Sequence, residues 1–389
     1  MTSHILTYHP VFRRVALREL HAVDPGASVL AELEPSVAHV LPSVPRDEFV
    51  RRLNEALPVF IRHATPVDVE LDLADATDPM EELIAAVDPT TLDRASTFAV
   101  ESRKLKATGE GVAFGSRDVE VQLGSRLERT GFAVDLLAPV QVVSVALVGW
   151  RALIGASRVA DNLGAHADDY RRYSRWPSAV SRAEFKLREA LEVWPLSLPA
   201  AGRALDIGAA PGGWSHVLAG RGMHVTAVDP ADLAEEVLAN PLVVHVRARV
   251  EAAELEDDSF DLVVDDMNLD PDESAATMCG AARYLAPGAP AIMTIKVTVR
   301  APLRLIRGTV AVLQHAYEVR GLRNLSHNRQ EVTALLRRKP AITPGWEELV
   351  GHDPAASERR RAWRQSHRLD PSEGALPLVL RRQSPTDES

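Results

Sequence analysis

Leu205-Asp206-Ile207-Gly208-Ala209-Ala210-Pro211-Gly212-Gly213-Trp214 is the stretch that decides the fold. A short apolar strand runs into a glycine-rich turn and then into a helix-forming segment, and open α/β sheets bind ligands at such strand carboxyl ends. Glycine there lets backbone approach a ligand closely. The loop lacks the spacing of a dinucleotide fingerprint and the Gly-Lys-Ser/Thr of a phosphate-cradling P-loop. The next apolar run ends in Asp229, about twenty residues on, where a carboxylate accepts hydrogen bonds from both hydroxyls of a ribose. A purely structural alternative has the glycines serving helix packing and Asp229 capping a turn.

Outward from this loop, apolar runs alternate with helix-length segments: RALDIG, HVTAVD, LVVHVR, FDLVVDDM, AIMTIKV, YEVRGL and EVTALLRR. Near-continuous apolar strands separated by helices predict a mainly parallel sheet covered on both faces, a doubly wound α/β domain over residues 181–340. Before it, Ser181 and Glu184 have capping-box spacing, and Ala183, Leu187, Ala190, Leu191 and Trp194 make one apolar face, which predicts a helix from Ser181 to Trp194. Residues 156–180, with Gly155 just before them and with Gly164, the charged run RRYSRW and Pro177 within, read as a linker. Residues 1–60 read as a small α+β unit with a helix from Pro10 to Ala22. A second α+β unit over 61–155 holds a strand at TFAVESRKL, a helix at SRDVEVQLGSRLERTG, and strands at FAVDLL and QVVSVALVGW. Residues 341–389 mix charge with Pro and Gly and are expected to form a partly ordered extension.

The 389-residue chain is long enough for two or three domains, each with its own core. Cys279 is the only cysteine, so neither an internal disulfide framework nor a multi-cysteine zinc site is available, and a reducing compartment, the cytoplasm, is expected. The apolar stretch Leu136 to Ile154 is broken by Pro139, Gln141 and Arg151 and reads as buried strands rather than a membrane span. The amino terminus lacks the order of a signal peptide. The net charge of −10 argues against a polyanionic partner only on average. Acidic residues crowd Glu70 to Asp93, whereas Arg171 to Arg188 holds six basic residues against Glu184 alone, and Lys296 to Arg338 holds nine against Glu318 and Glu331. Such patches steer nucleic acid, although many are simply solvated faces. The thirteen histidines show no H-E-x-x-H or comparable spacing, so no metal is called for.

The string D-I-G-A-A-P-G-G-W-S, preceded by S-R-A-E-F-K-L and followed by V-V-D-D-M, I-K-V and E-V, resembles the FtsJ-like family of RNA ribose 2′-O-methyltransferases over residues 175–340. The resemblance implies a Rossmann-like methyltransferase domain and S-adenosylmethionine as cofactor, held by Asp206, Gly208, Ala209, Pro211, Gly213, Trp214, Asp229 and Asp266. It also implies a Lys-Asp-Lys-Glu catalytic tetrad at Lys186, Asp266, Lys296 and Glu331. Around TFAVESRKL to VSVAL the chain resembles a THUMP domain, with its ferredoxin-like companion in residues 1–60. This pairing implies an RNA substrate, with 23S ribosomal RNA favoured and tRNA the alternative. A non-catalytic RNA-binding protein is a rival from another class, opposed by the four intact tetrad positions. The family's adenine-holding aspartate has no evident counterpart in VRARVEAAEL.

Chemically, methyl transfer to a ribose hydroxyl needs the hydroxyl aligned with the methyl donor and relieved of its proton. A free lysine, with a pKa near ~10.4, is protonated at neutral pH, and two converging lysines are expected to lower one another's basicity. Lys296 is expected nearest the hydroxyl, with Asp266 and Glu331 orienting the two ammonium groups. Strand alternation lets only one of Asp265 and Asp266 face the cleft, and the motif selects Asp266. Arg300, Arg304 and Arg307, at helical spacing, and Arg171, Arg172 and Arg175, beside Trp176, are candidate RNA contacts; a solvated helix face and a packed linker tryptophan are the plainer alternatives.

Overall fold

A computed structural model of the chain describes residues 2–106, 110–136, 138–163, 180–298, 301–350 and 354–366. They fall into two compact units, one ending in the described residues at 163 and the other beginning at 180. Among the described residues, no helix is long and apolar enough to cross a membrane.

The first unit opens with β1 (Ser3–Tyr8), α1 (Arg13–Val23), β2 (Ser28–Glu34), β3 (Val37–Leu41), α2 (Arg46–Ala56) and β4 (Ile61–Val67). Their antiparallel sheet has the order β2-β3-β1-β4, the ferredoxin-like arrangement. The expected boundary at residue 60 falls too early. Buried Glu19 of α1 accepts the N–H groups of Val59, Phe60 and Ile61 at 2.8–3.2 Å, so the chain is fastened inside this sheet as β4 begins.

A second sheet follows: β5 (Val69–Asp72), α3 (Pro79–Ala85), β6 (Phe98–Leu105), α4 (Ser116–Arg129), β7 (Gln141–Val148) and β8 (Arg151–Arg158), in the order β5-β8-β7-β6 with β6 and β7 parallel. The described residues of FAVDLL, 132–136, are not a strand of this sheet; Val134 makes one isolated bridge to Phe98, and Asp135 accepts Ala138 N–H. Nor does a linker begin at residue 156, because β8 continues to Arg158. Gly155 lies inside that strand, where a Cβ would stand 1.9 Å from the Pro66 carbonyl oxygen, so only glycine lets β4 pass this close. Residues 164–179, which hold the rest of the expected linker with Arg171, Arg172, Arg175 and Trp176, lie outside the described residues.

The second unit opens with α5 (Ala183–Val193), which buries Leu187, Ala190 and Leu191 as their spacing predicts. Each such leucine contributes roughly 1.5–3 kcal/mol. The capping box does not form: Glu184 accepts Val180 N–H instead, and its own N–H goes to the Ser181 carbonyl. Then come β9 (Arg203–Ile207), α6 (Gly213–Ala219), β10 (His224–Val228), α7 (Glu235–Leu238), β11 (Val243–Val246), β12 (Leu262–Asp265), α8 (Pro271–Ala281), β13 (Pro290–Lys296), α9 (Pro302–Leu313), β14 (Tyr317–Arg323) and β15 (Glu331–Arg338). All seven apolar runs are strands of one sheet, ordered β11-β10-β9-β12-β13-β15-β14. The first five are parallel, and β15 slots antiparallel between β13 and β14. This is the expected Rossmann-like architecture. The strand order reverses between β9 and β12, which opens a crevice at their carboxyl ends.

Part of the expected extension is ordered as α10 (Pro354–Ser366). Its buried Arg360 pairs with Asp270 and Glu273 of the β12–α8 corner at 3.7 and 3.3 Å and donates to the Leu349 carbonyl at 3.0 Å. Residues 367–389 lie outside the described residues.

Candidate active site

The glycine-rich loop occupies the crevice. Gly208 takes φ +71°, a conformation side chains disfavour, and a Cβ there would stand 2.4 Å from Met267 Cγ. Asp229, at the end of β10, accepts Ala210 N–H at 3.1 Å and Ala231 N–H at 2.7 Å. A carboxylate has about four acceptor positions, so two remain for a ribose edge. Ser181 Oγ is buried without a hydrogen-bond partner and sits where a Cβ on Gly213 would come within 2.3 Å of it. A bare loop, a carboxylate with spare acceptors and an orphan hydroxyl fit a nucleoside cofactor with a polar tail.

Not every expected cofactor contact faces the crevice. Asp206 is enclosed and accepts Ser215 Oγ at 2.6 Å, and burial pushes its pKa up to about 7, so it braces the loop from inside. Trp214 is buried in the core, its Nε1 donating to the Ala183 carbonyl at 2.8 Å, which ties α6 to α5. Ala209 is buried, and Pro211 is exposed.

Of the adjacent aspartates, Asp265 turns inward, accepting Met267 N–H and Ser274 Oγ at 2.7 Å, and burial likewise raises it to about 7. Asp266 faces the other way, as strand alternation demands. Lys186 Nζ lies 3.1 Å from both Asp266 oxygens and 2.7 Å from Glu331 Oε2. Lys296 Nζ lies 3.1 Å from Asp266 Oδ1 and 2.7 Å from Glu331 Oε1. The four side chains, 14–22% exposed, thus close a ring of alternating charge assembled from α5, the end of β12, the end of β13 and the start of β15. Pairing of Lys296 opposite Glu331 in the β13–β15 register puts these two side by side.

One electrostatic expectation is overturned. Burial works against the Lys296 ammonium, but Asp266 and Glu331 outweigh it, so the Lys296 pKa is raised rather than lowered by its fellow lysine. Burial works against the Glu331 carboxylate too, and Lys186 and Lys296 outweigh it, holding its pKa down.

Thr294 also belongs to the cluster, donating to Asp266 Oδ1 at 2.6 Å and accepting from Lys296 at 3.2 Å. Period-two alternation from Lys296 is the signal that would have found it. On α9, Arg304 is exposed and Arg307 half-buried; Arg300 lies outside the described residues.

The model of the FtsJ-like methyltransferase family matches residues 179–322. Among curated proteins, the chain is 30% identical over 255 residues to ribosomal RNA large subunit methyltransferase M of Azotobacter vinelandii, covering 60% of this chain and 69% of that one. It is 28% identical over 356 residues to the protein of the same name from Thauera aminoaromatica, covering 82% and 90%. The Aeromonas salmonicida protein of that name is 29% identical over 261 residues, covering 64% and 71%.

Proposed function

This chain belongs to the ribosomal RNA large subunit methyltransferase M family, an S-adenosylmethionine-dependent group, and on that footing we propose that it methylates a ribose 2′-hydroxyl of large-subunit ribosomal RNA. The observation that carries the proposal is the closed ring of Lys186, Asp266, Lys296 and Glu331 beside the glycine-rich loop. A methyltransferase acting on a carbon or a ring nitrogen has no need of two lysines locked between two carboxylates. A hydroxyl acceptor does, because its oxygen must be oriented and its proton led away.

The cofactor, when bound, supplies an electrophilic methyl group on a cationic sulfur. The Gly208–Gly213 backbone, Asp229 and the Ser181 hydroxyl are the groups that would hold it. Lys296 Nζ, giving up its 3.2 Å contact to Thr294, would donate to the acceptor hydroxyl and turn a lone pair toward the incoming carbon. As the new O–C bond would form and the methyl–sulfur bond break, with a neutral thioether leaving, the hydroxyl proton would become acidic. Lys296 takes it while passing one of its own N–H protons toward Glu331 Oε1, 2.7 Å away. Lys186 keeps Glu331 and Asp266 from becoming an unbalanced pair of negative charges. RNA capture is assigned to the amino-terminal unit, on its THUMP resemblance and its ferredoxin-like sheet.

The test is transfer of labelled methyl from S-adenosylmethionine to total RNA lacking this modification, with the RNA sized and digested to nucleosides. Label in a 2′-O-methylnucleoside of large ribosomal RNA, lost with Lys296→Ala, is the expected result. Label in a methylated base, in tRNA alone, or undiminished in Lys296→Ala would overturn the assignment.

A further inference from the structure

Glu189 lies one turn after Lys186 on α5 and is almost wholly buried. An unsatisfied buried carboxylate costs several kcal/mol, yet this one sits beside Leu187, Ala190 and Leu191, where an apolar residue would be the ordinary choice. Its partners all come from the turn at residues 324–330: Ser326 N–H at 2.6 Å, His327 N–H at 3.0 Å and His327 Nδ1 at 2.8 Å. The His327 ring also packs on Phe185, the residue before Lys186, with ring centroids 5.4 Å apart. Burial opposes the charge on Glu189, but these partners prevail and its pKa is lowered.

That turn joins β14 to β15 and ends immediately before Glu331. Asn324 Nδ2 donates to the Glu331 carbonyl at 2.6 Å, and Asn328 Oδ1 accepts Leu325 N–H and Thr333 Oγ1 at 2.8 and 3.0 Å, so it is stiffened from within. Its last carbonyl, of Gln330, accepts the N–H of Val297, the residue after Lys296, at 2.8 Å. The turn is therefore fastened to the strand that carries Glu331, the strand that carries Lys296 and, through Glu189 alone among these bonds, the helix that carries Lys186.

We propose that Glu189 is a positioning residue for methyl transfer: by clamping the 324–330 turn onto α5 it sets the approach of Lys186 to Glu331. This rests on the assignment of the lysine–carboxylate ring to the reaction. A displacement of about 1 Å within such a ring is enough to cost up to about 100-fold in rate, whereas none of the clamp bonds named above reaches the cofactor loop.

The experiment is single-turnover methyl transfer with Glu189→Gln, Glu331→Gln and the double variant, alongside calorimetric S-adenosylmethionine binding. Glu189→Gln is expected to slow transfer about 10- to 100-fold with cofactor affinity unchanged within about twofold. The double variant is expected to be no slower than Glu331→Gln alone, because both act through the same ion pair. His327→Asn, whose amide N–H replaces the Nδ1 donor, should retain activity that His327→Ala loses, and this pair carries the same test if Glu189→Gln does not fold. Rates that multiply in the double variant, or Glu189→Gln that lowers only the melting temperature, would overturn the proposal. A fully active Glu331→Gln would instead strike at the catalytic assignment of the ring, and the proposal would fall with it.

Discussion

Replacing Lys296 by methionine keeps an unbranched side chain, one atom shorter, and removes the charge and its donors. In the structure that nitrogen serves Asp266 at 3.1 Å, Glu331 at 2.7 Å and Thr294 at 3.2 Å, none of them in the cofactor loop. Losing one preorganised donor at the reacting oxygen costs on the order of 3–4 kcal/mol, and at about 1.4 kcal/mol per decade that is 10²- to 10³-fold in rate. Loss of the proton path extends the range toward about 10⁴. The ring would pass from neutral to net negative, so a cationic cofactor should bind no more weakly. Lys296→Met is therefore expected to slow single-turnover methyl transfer by about 10²- to 10⁴-fold while the calorimetric affinity for S-adenosylmethionine holds or improves. Full activity, or a defect confined to cofactor affinity, would refute the role given to this residue.

The raised pKa of Lys296 and the lowered pKa of Glu331 move both groups away from neutrality, so the single-turnover rate should be flat between about pH 6.5 and 9; a tenfold rise per pH unit across that range would mean a free lysine base. Asp229→Ala should weaken cofactor binding by about 10- to 100-fold, the value of hydrogen bonds to a charged group, with little change in rate at saturating cofactor; calorimetry that finds wild-type affinity would remove Asp229 from the cofactor site. Arg360→Ala leaves Glu273 buried without that cation and should cost about 3–5 kcal/mol of stability, read as a lower urea midpoint; an unchanged midpoint would show that α10 does not brace the β12–α8 corner.

The strands of the second unit were legible because a strand buried on both faces is apolar at nearly every position. Their spatial order was not, since periodicity carries no information on which neighbour a strand chooses; β15 enters between β13 and β14 by antiparallel pairing that only the fold decides. In the first unit the misplaced boundary at residue 60 has the same origin. Glu19 makes its bonds to Val59–Ile61 forty residues away in sequence, and no local pattern announces them. Gly155 read as a linker glycine because its requirement, the passing backbone of Pro66, is non-local as well.

In the site, the motif reached the residues that meet across the ring but not the ones that hold them there. Lys186 and Glu189, three apart on a helix, look like an ordinary surface ion pair, yet the structure turns the lysine into the cluster and the glutamate into the core. The basicity of Lys296 was misjudged for a related reason. Two lysines brought together without their counter-ions depress each other, and the sequence set them side by side without distances. At 2.7 and 3.1 Å the carboxylates dominate, and Lys296 is held as an ammonium. A protonated lysine cannot take up a proton without first yielding one. On the proposed mechanism the close contact with Glu331 is therefore part of the chemistry rather than a support for it, and Glu331→Gln, which keeps the shape and removes the acceptor charge, should slow transfer even with both lysines in place.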